Sequence, residues 1–283
     1  MVFLYVIGGA HAEMGTGGLT IRISKGTIHR CFQGADSRMR IIAIASQKGG
    51  TGKTTTTRTL GAALAAKGRD VLLIDNDPQA SLTVSCGIDA PDRNIANVYS
   101  GTAGIPDVVR KVSDNLYLVP SDIALSQTEI DIVSRSYREE ILTRMLQRIN
   151  EPDYVLIDCA PSLGLLTVNA LRASNEILIP ARPEYLGLRA MSILIRSLRK
   201  LQSDMMHDMN IIGILPTFYN SRVLHHAEVI AAWQKANLPV FEIRIPQSIR
   251  ASESAITGQS IIDYAPDNPV TIAYLQLAEV IDG

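Results

Sequence analysis

Cysteine is scarce in this chain. Its three cysteines, Cys31, Cys86 and Cys159, lie far apart among 283 residues and in no metal-ligand spacing. That excludes a disulfide scaffold and suits a reducing compartment such as the cytosol. Neither sign of charge is in excess. The formal net charge is −1, so no global field draws the chain to nucleic acid or to a membrane surface. Any such binding has to come from a local patch. No run of about 18 apolar residues occurs, which excludes a membrane-spanning helix. Aromatic residues make up only 5% and do not interleave with basic ones, so base stacking along a single strand is unsupported.

What is present is enough apolar sequence, 46%, to bury a sizeable core. The opening "MVFLYVIGGAHA" has a short apolar run but lacks the basic start of a signal peptide. Residues 1–38 show no clear periodicity. They read as a poorly ordered extension or an over-long gene start, with a single domain over residues 39–283.

From Arg40 onward, apolar β-branched runs alternate with helical patterns. "RIIAIAS", "DVLLID", "NLYLVPS", "YVLIDCAPS", "EILIPA" and "IIGILPTFY" read as strands. Helices are expected from Lys53 to about Lys67 and from Tyr185 to Gln202. Continuous apolar strands spaced by helices predict an α/β fold, a doubly wound and mostly parallel sheet covered on both faces. In such a sheet, ligands sit beyond the C-terminal strand ends, where every motif below falls.

The first motif is "SQKGGTGKTTTT", residues 46–57. Strand, glycines, then helix is the context of a phosphate-binding loop. Gly49, Gly50, Thr51 and Gly52 can turn backbone N–H groups inward to form an anion nest at a helix N-terminus. Lys53 can reach the β- and γ-phosphates, the Thr54 hydroxyl can ligate Mg²⁺, and Thr55 is placed for the α-phosphate. Gln47 stands where the general G-x-x-x-x-G-K-[ST] pattern has its first glycine, and a second lysine, Lys48, comes early. By spacing alone, Lys48 could be a solvated loop residue.

Two carboxylates, Asp75 and Asp77, end the strand of "VLLIDNDPQAS". Being one residue apart on extended chain, they point to opposite sides and should have different tasks. A turn-forming aspartate before Pro78 is the plainer alternative. Asp158 ends another apolar strand, in the position of a Walker B carboxylate that orients Mg²⁺. Cys159 beside it reads as a small packed residue. Arg189, Arg196 and Lys200 share a stripe on the expected long helix, which could touch DNA phosphates or simply be a solvated face. His225 and His226 diverge on a helix and make no shared metal site.

The loop "KGGTGKT" resembles the deviant Walker A motif of the ParA/MinD family of P-loop ATPases, and within it the ParA/Soj-type partition ATPases. "DNDPQ" is similar to the family's D-x-D-P-Q. "LIPARPEYLGLRAM", "GILPTFYNSR" and "IPQSIRASESAITGQSIIDYAP" are similar to later family motifs, with Asn220, Gln247 and Ser248 departing from them. The resemblance implies that Lys48 reaches phosphates held by a second subunit, an arginine-finger-like role. It implies that Asp77 orients the attacking water and Asp75 supports the Mg²⁺ shell. Pro161, Ser162 and Gly164 would form a switch turn, Pro246 would contact the base, and Arg250 would sit at a position linked to nonspecific DNA binding.

The implied protein is therefore an ATPase with ATP and Mg²⁺ as cofactors. It would form a homodimer on ATP binding, hold nonspecific double-stranded DNA and hydrolyse ATP slowly, in plasmid or chromosome partition beside a ParB-type centromere-binding protein. It would be cytoplasmic and nucleoid-associated. The segment "LAEVIDG" carries no basic amphipathic tail, so no membrane partner is expected. The alternative is a related ATPase that positions another cargo, MinD-like or polar, without DNA binding.

Overall fold

The computed structural model describes residues 6–7, 10–15, 18–23, 39–149, 151–184 and 187–283. The chain divides into two units, Met1–Arg38 and Met39–Gly283. In the first, β1 (Val6–Ile7), β2 (Ala10–Gly15) and β3 (Gly18–Ile23) pair antiparallel in that order. The expected poorly ordered extension concerns residues of which only these strands are described.

The second unit is built on seven strands. They are β4 (Arg40–Ile44), β5 (Val71–Asn76), β6 (Arg110–Ser113), β7 (Leu116–Val119), β8 (Tyr154–Cys159), β9 (Glu176–Ala181) and β10 (Asn210–Pro216). Their order is β10-β9-β4-β8-β5-β7-β6. All neighbours run parallel except β6, which pairs antiparallel with β7 at the edge. The six parallel strands are those read from the sequence. The edge strand "RKVS" was not read. Its residues are only half-buried or exposed, so it has no apolar run to mark it.

Twelve α-helices and one short 3₁₀ helix, Arg138–Glu140, are described in this unit. The α-helices are α1 (Lys53–Ala66), α2 (Ser81–Ser85), α3 (Ile95–Ser100), α4 (Ile105–Val108), α5 (Ala124–Ile132), α6 (Ile141–Leu146), α7 (Leu165–Ala173), α8 (Gly187–Met205), α9 (Leu224–Lys235), α10 (Ile249–Ile256), α11 (Ile261–Tyr264) and α12 (Pro269–Asp282). None of the described helices is long and apolar enough to cross a membrane.

Strand alternation splits the core in two. Ile42, Ile44, Leu73, Leu156 and Leu178 face α1 and α12, whereas Ile41, Ala43, Ile74, Val155, Ile157 and Ile179 face the other layer with α7 and α8. Both faces of the central strands are therefore apolar, which is why they read as unbroken runs. Fully burying each such Ile or Leu stabilises by about 1.5–3 kcal/mol. Helix α12 starts with Asn268 capping Val270 N at 3.0 Å and Pro269 in the first turn. It buries Val270, Ala273, Tyr274, Leu277, Ala278 and Ile281, a helical stripe. Helix α1 lies close to the sheet because residue 61 is glycine. A Cβ there would meet Leu73 Cδ2 at 2.6 Å.

Candidate active site

The loop between β4 and α1 is the centre of the site. Gly50 and Gly52 adopt φ 71° and 86°, left-handed values that glycine takes without strain. No atom outside the adjacent residues lies within 4 Å of where a Cβ of Gly49 or Gly50 would stand, so the crest of the loop is open. Lys53 opens α1 and is buried at 8% exposure, with Nζ 3.4 Å from the Lys48 carbonyl oxygen. Thr51 Oγ1 donates to the same carbonyl at 3.4 Å. From the end of β10, Thr217 Oγ1 donates to Thr51 O at 2.8 Å and braces the loop. Backbone donors at a helix N-terminus with an enclosed ammonium form an anion cradle.

The carboxylates sit on neighbouring strands, with Asp75 and Asp158 in register across β5 and β8. Asp158 is 1% exposed. Its Oδ2 accepts from Thr54 Oγ1 at 2.7 Å, whereas its Oδ1 has no partner. Burial, and then the negative charge of Asp75, push its pKa well above the usual carboxylate range. A divalent cation suits this orphaned buried oxygen and relieves both causes. Thr54 and Asp158 are the residues that would hold Mg²⁺, which when bound supplies positive charge against phosphate oxygens.

Asp75, which the resemblance places in support of the Mg²⁺ shell, accepts hydrogen bonds from its own chain. Its Oδ2 accepts from Thr83 N at 2.8 Å and Thr83 Oγ1 at 2.7 Å, and its Oδ1 from Asp77 N at 3.3 Å. Both oxygens thus help to brace the segment that carries Asp77. Burial raises its pKa to about 6, against the lowering effect of these hydrogen bonds. Asp77 itself is half-exposed. Its Oδ1 accepts from Gln79 N at 3.0 Å, and its carbonyl accepts from Ser121 Oγ at 2.9 Å. The two aspartates therefore do have separate partners. Leu166 N at the start of α7 donates to Glu129 Oε1 at 3.2 Å, which ties α5 to the start of α7, just after the turn of Pro161, Ser162 and Gly164. Cys159 is fully buried, and burial pushes its thiol pKa far up, as fits a packed residue.

Lys48 is exposed, and its ammonium pairs with Glu184 of the same chain. Glu184 Oε1 also forms an ion pair with Arg182 Nε at 3.1 Å. The Arg182 guanidinium lies 4.7 Å from the centre of the Phe218 ring. Beside the loop a cavity of about 330 Å³ is lined by Gly52, Thr55, Phe218, Pro246, Ser248 and Tyr274, among others. Pro246, which the resemblance places against the base, and Ser248 both line this cavity. Ser248 presents a hydroxyl where the family pattern has an amide.

The basic candidates lie elsewhere. Arg196 and Lys200 are exposed on α8, opposite the buried Met191, Leu194, Ile195 and Leu198. Arg189 falls in the first turn of α8, where its side chain is outside the described residues. Arg250 is exposed on α10 and pairs with Glu253 at 3.1 Å. Sequence reasoning missed Thr83, Ser121, Glu129, Glu184, Thr217 and Phe218. Glu184, Thr217 and Phe218 lie inside motifs quoted above, so their motifs were the available signal. The others act only through contacts made by folding.

A glycine loop opening a helix, an enclosed lysine on its first turn and a buried Thr–Asp pair beside it define a P-loop nucleoside triphosphatase. Residues 39–211 match the AAA domain family. Two uncharacterized proteins of Mycobacterium tuberculosis are 38% identical over 96% of this chain and 88% of their own. The sporulation initiation inhibitor protein Soj of Bacillus subtilis is 38% identical over 86% of this chain and 98% of its own. A structure of cobyrinic acid a,c-diamide synthase from Mycobacterium smegmatis, with bound ATP analog and magnesium, superposes with TM-score 0.76 at 32% identity. It covers 86% of this chain and 94% of that one. The septum site-determining protein MinD of Pyrococcus horikoshii, complexed with Mg-ADP, gives TM-score 0.74 at 27% identity over 87% and 96%. The chain belongs to the ParA/MinD family of P-loop ATPases. It is an ATPase, and its cofactors are ATP and Mg²⁺.

Proposed function

We propose that this ATPase is an ATP-switched homodimer that binds nonspecific double-stranded DNA and serves plasmid or chromosome partition, with residues 39–283 as its ATPase domain. The observation that carries this reading is Lys48. Its own loop is served by the enclosed Lys53, so the exposed ammonium at the mouth of the loop is left for a neighbour's phosphates. Positive charge supplied across an interface ties hydrolysis to dimerisation. Within the subunit, Lys53 and the loop amides bind phosphate, Thr54 and Asp158 hold the metal, and Asp77 orients water. Asp75 and Ser121 keep Asp77 in place. Exposed Arg196, Lys200 and Arg250 suit phosphate-backbone contact without base readout. The relatives named for chromosome partition support the partition role, and with that role we place a ParB-type partner and a cytoplasmic, nucleoid-associated location.

The test is retention on nonspecific DNA with a nonhydrolysable ATP analogue. Retention should require the analogue and weaken steeply with salt. Arg250→Glu should reduce it while dimers persist. Nucleotide-independent retention, or none, would overturn the DNA reading. The match to a cobyrinic acid a,c-diamide synthase gives a second reading, an ATP-dependent amide synthase. ATP turnover that depends on a corrin carboxylic acid and a nitrogen donor, without DNA retention, would favour it.

A further inference from the structure

Asn76 is the last residue of β5, between the two aspartates, and it is fully buried. Strand alternation turns it away from the face of Asp75 and toward the layer of α3 and α7. Its neighbours on that face, Ile74 and Ile157, are apolar. A buried amide there is costly unless it is paired. Asn76 is paired through both ends of its amide. Its Nδ2 donates to Leu166 O at 2.8 Å, and its Oδ1 accepts from Tyr99 Oη at 3.0 Å. Burial pushes the Tyr99 pKa well up, so the hydroxyl keeps the proton it donates. Leu166 is held on its N–H side as well. Helix α7 begins after Gly164, which has no side chain to cap it. Glu129 of α5 supplies the acceptor instead, taking Leu166 N at 3.2 Å. A Cβ on residue 164 would stand 2.7 Å from Glu129 Oε1, so glycine makes room for this contact. Between Cys159, which is in register with Asn76, and Leu166 lies a turn whose Pro161, Ser162 and Leu163 are exposed. Both ends of that turn are therefore tied to Asn76, one through the sheet and one through its side chain.

We propose that Asn76 is a positioning residue for hydrolysis, fixing the turn after Asp158 to the strand end that carries Asp77. This rests on the reading that Asp77 orients the attacking water. In that reading Asn76 touches neither nucleotide nor metal, and phosphate binding belongs to the loop of residues 49–54. Loss of the amide leaves binding in place and loosens the geometry of the reacting groups, where a displacement of about 1 Å costs on the order of 10²-fold. An apolar residue at position 76, with Phe at position 99, would fill the same space and leave no side-chain polar group unpaired. Stability alone therefore gives no reason for the amide. Leu166 O, as a helical carbonyl, would keep its partner within α7.

The experiment separates stability from turnover with Asn76→Leu, Tyr99→Phe and the double variant. It reads the melting temperature without nucleotide, the Kd of a nonhydrolysable ATP analogue by isothermal titration, and kcat for ATP. Tyr99→Phe keeps the bond to Leu166 and strands Asn76 Oδ1, so it should melt lower with kcat within about twofold of wild type. Asn76→Leu strands the Tyr99 hydroxyl, and it should melt lower and lose on the order of tenfold in kcat. In the double variant both side-chain partners are gone, so the melting temperature should recover. Its kcat should stay on the order of tenfold low, because the start of α7 is still unanchored. At a matched loss of stability, Asn76→Leu should still turn over more slowly than Tyr99→Phe. The Kd should stay within about twofold of wild type in all three. A merely structural Asn76 would let kcat return with stability. That outcome, an equal fall of kcat in Tyr99→Phe, or a Kd that weakens in step with kcat would overturn the proposal. Asp77→Ala tells two failures apart. If it turns over normally, the reading of Asp77 has failed and the anchor with it. If it is inactive while the double variant turns over normally, only the anchor has failed.

Discussion

Thr54 Oγ1 donates to Asp158 Oδ2 at 2.7 Å, joining the first turn of α1 to the end of β8, while Asp158 Oδ1 faces no partner. One oxygen of the carboxylate is thereby oriented, and the other is the one proposed to meet Mg²⁺. Asp158→Asn keeps the shape and removes the charge. Metal-dependent ATP turnover should fall by on the order of 10²-fold or more. Thermal stability without nucleotide should hold, because burial already favours the neutral acid at Asp158, which an amide of the same shape replaces. Turnover against Mg²⁺ concentration and a melting curve check both parts. Wild-type turnover would remove Asp158 from the metal site.

Lys53 is enclosed at the start of α1, and the proposed function gives it the phosphates of its own loop. Lys53→Ala should abolish nucleotide binding, read by isothermal titration. Asp77→Ala should leave binding intact and trap an ATP-bound dimer, because Asp77 is assigned to water and not to phosphate. Loss of nucleotide by the Asp77 variant would contradict that assignment.

Gly61 lets α1 approach the sheet. Gly61→Ala would place its Cβ 2.6 Å from Leu73 Cδ2, so the leucine or the helix must move. The overpacking should cost about 1–3 kcal/mol. Since α1 carries Lys53 and Thr54, nucleotide affinity should fall with it. Chemical denaturation with and without nucleotide measures both. Unchanged stability would mean that the core yields freely at this point.

Asp75 has its pKa raised to about 6 by burial. An acid with a raised folded-state pKa keeps its proton in the folded state at pH values where the unfolded chain has lost it. Its contribution therefore favours the folded state at low pH and is lost as pH rises through about 4 to 6. Asp75→Asn removes this titration. The wild type, measured without nucleotide or metal, should lose on the order of 3 kcal/mol relative to the variant across that window. A difference that stays flat with pH would contradict the burial argument.

The parallel sheet was legible because its central strands are apolar on both faces, so Ile41–Ile44 and Val71–Ile74 read as unbroken runs. The edge strand Arg110–Ser113 was not, since a half-solvated four-residue strand carries no such signal. The phosphate loop was legible because chemistry packs its residues into one short segment. Partners were not. Lys48 meets Glu184 across 136 positions, and Asp75 accepts from Thr83, as only the folded chain reveals.

The most direct test of the account is the molar mass in solution, by size exclusion with light scattering, with and without ATP and Mg²⁺. Wild type and Lys48→Ala are run side by side with turnover measured on the same samples. The account predicts a monomer that becomes a dimer with Mg-ATP, and no turnover once Lys48 is removed. A wild type that hydrolyses ATP as a monomer, or a Lys48→Ala protein that turns over normally, would contradict it.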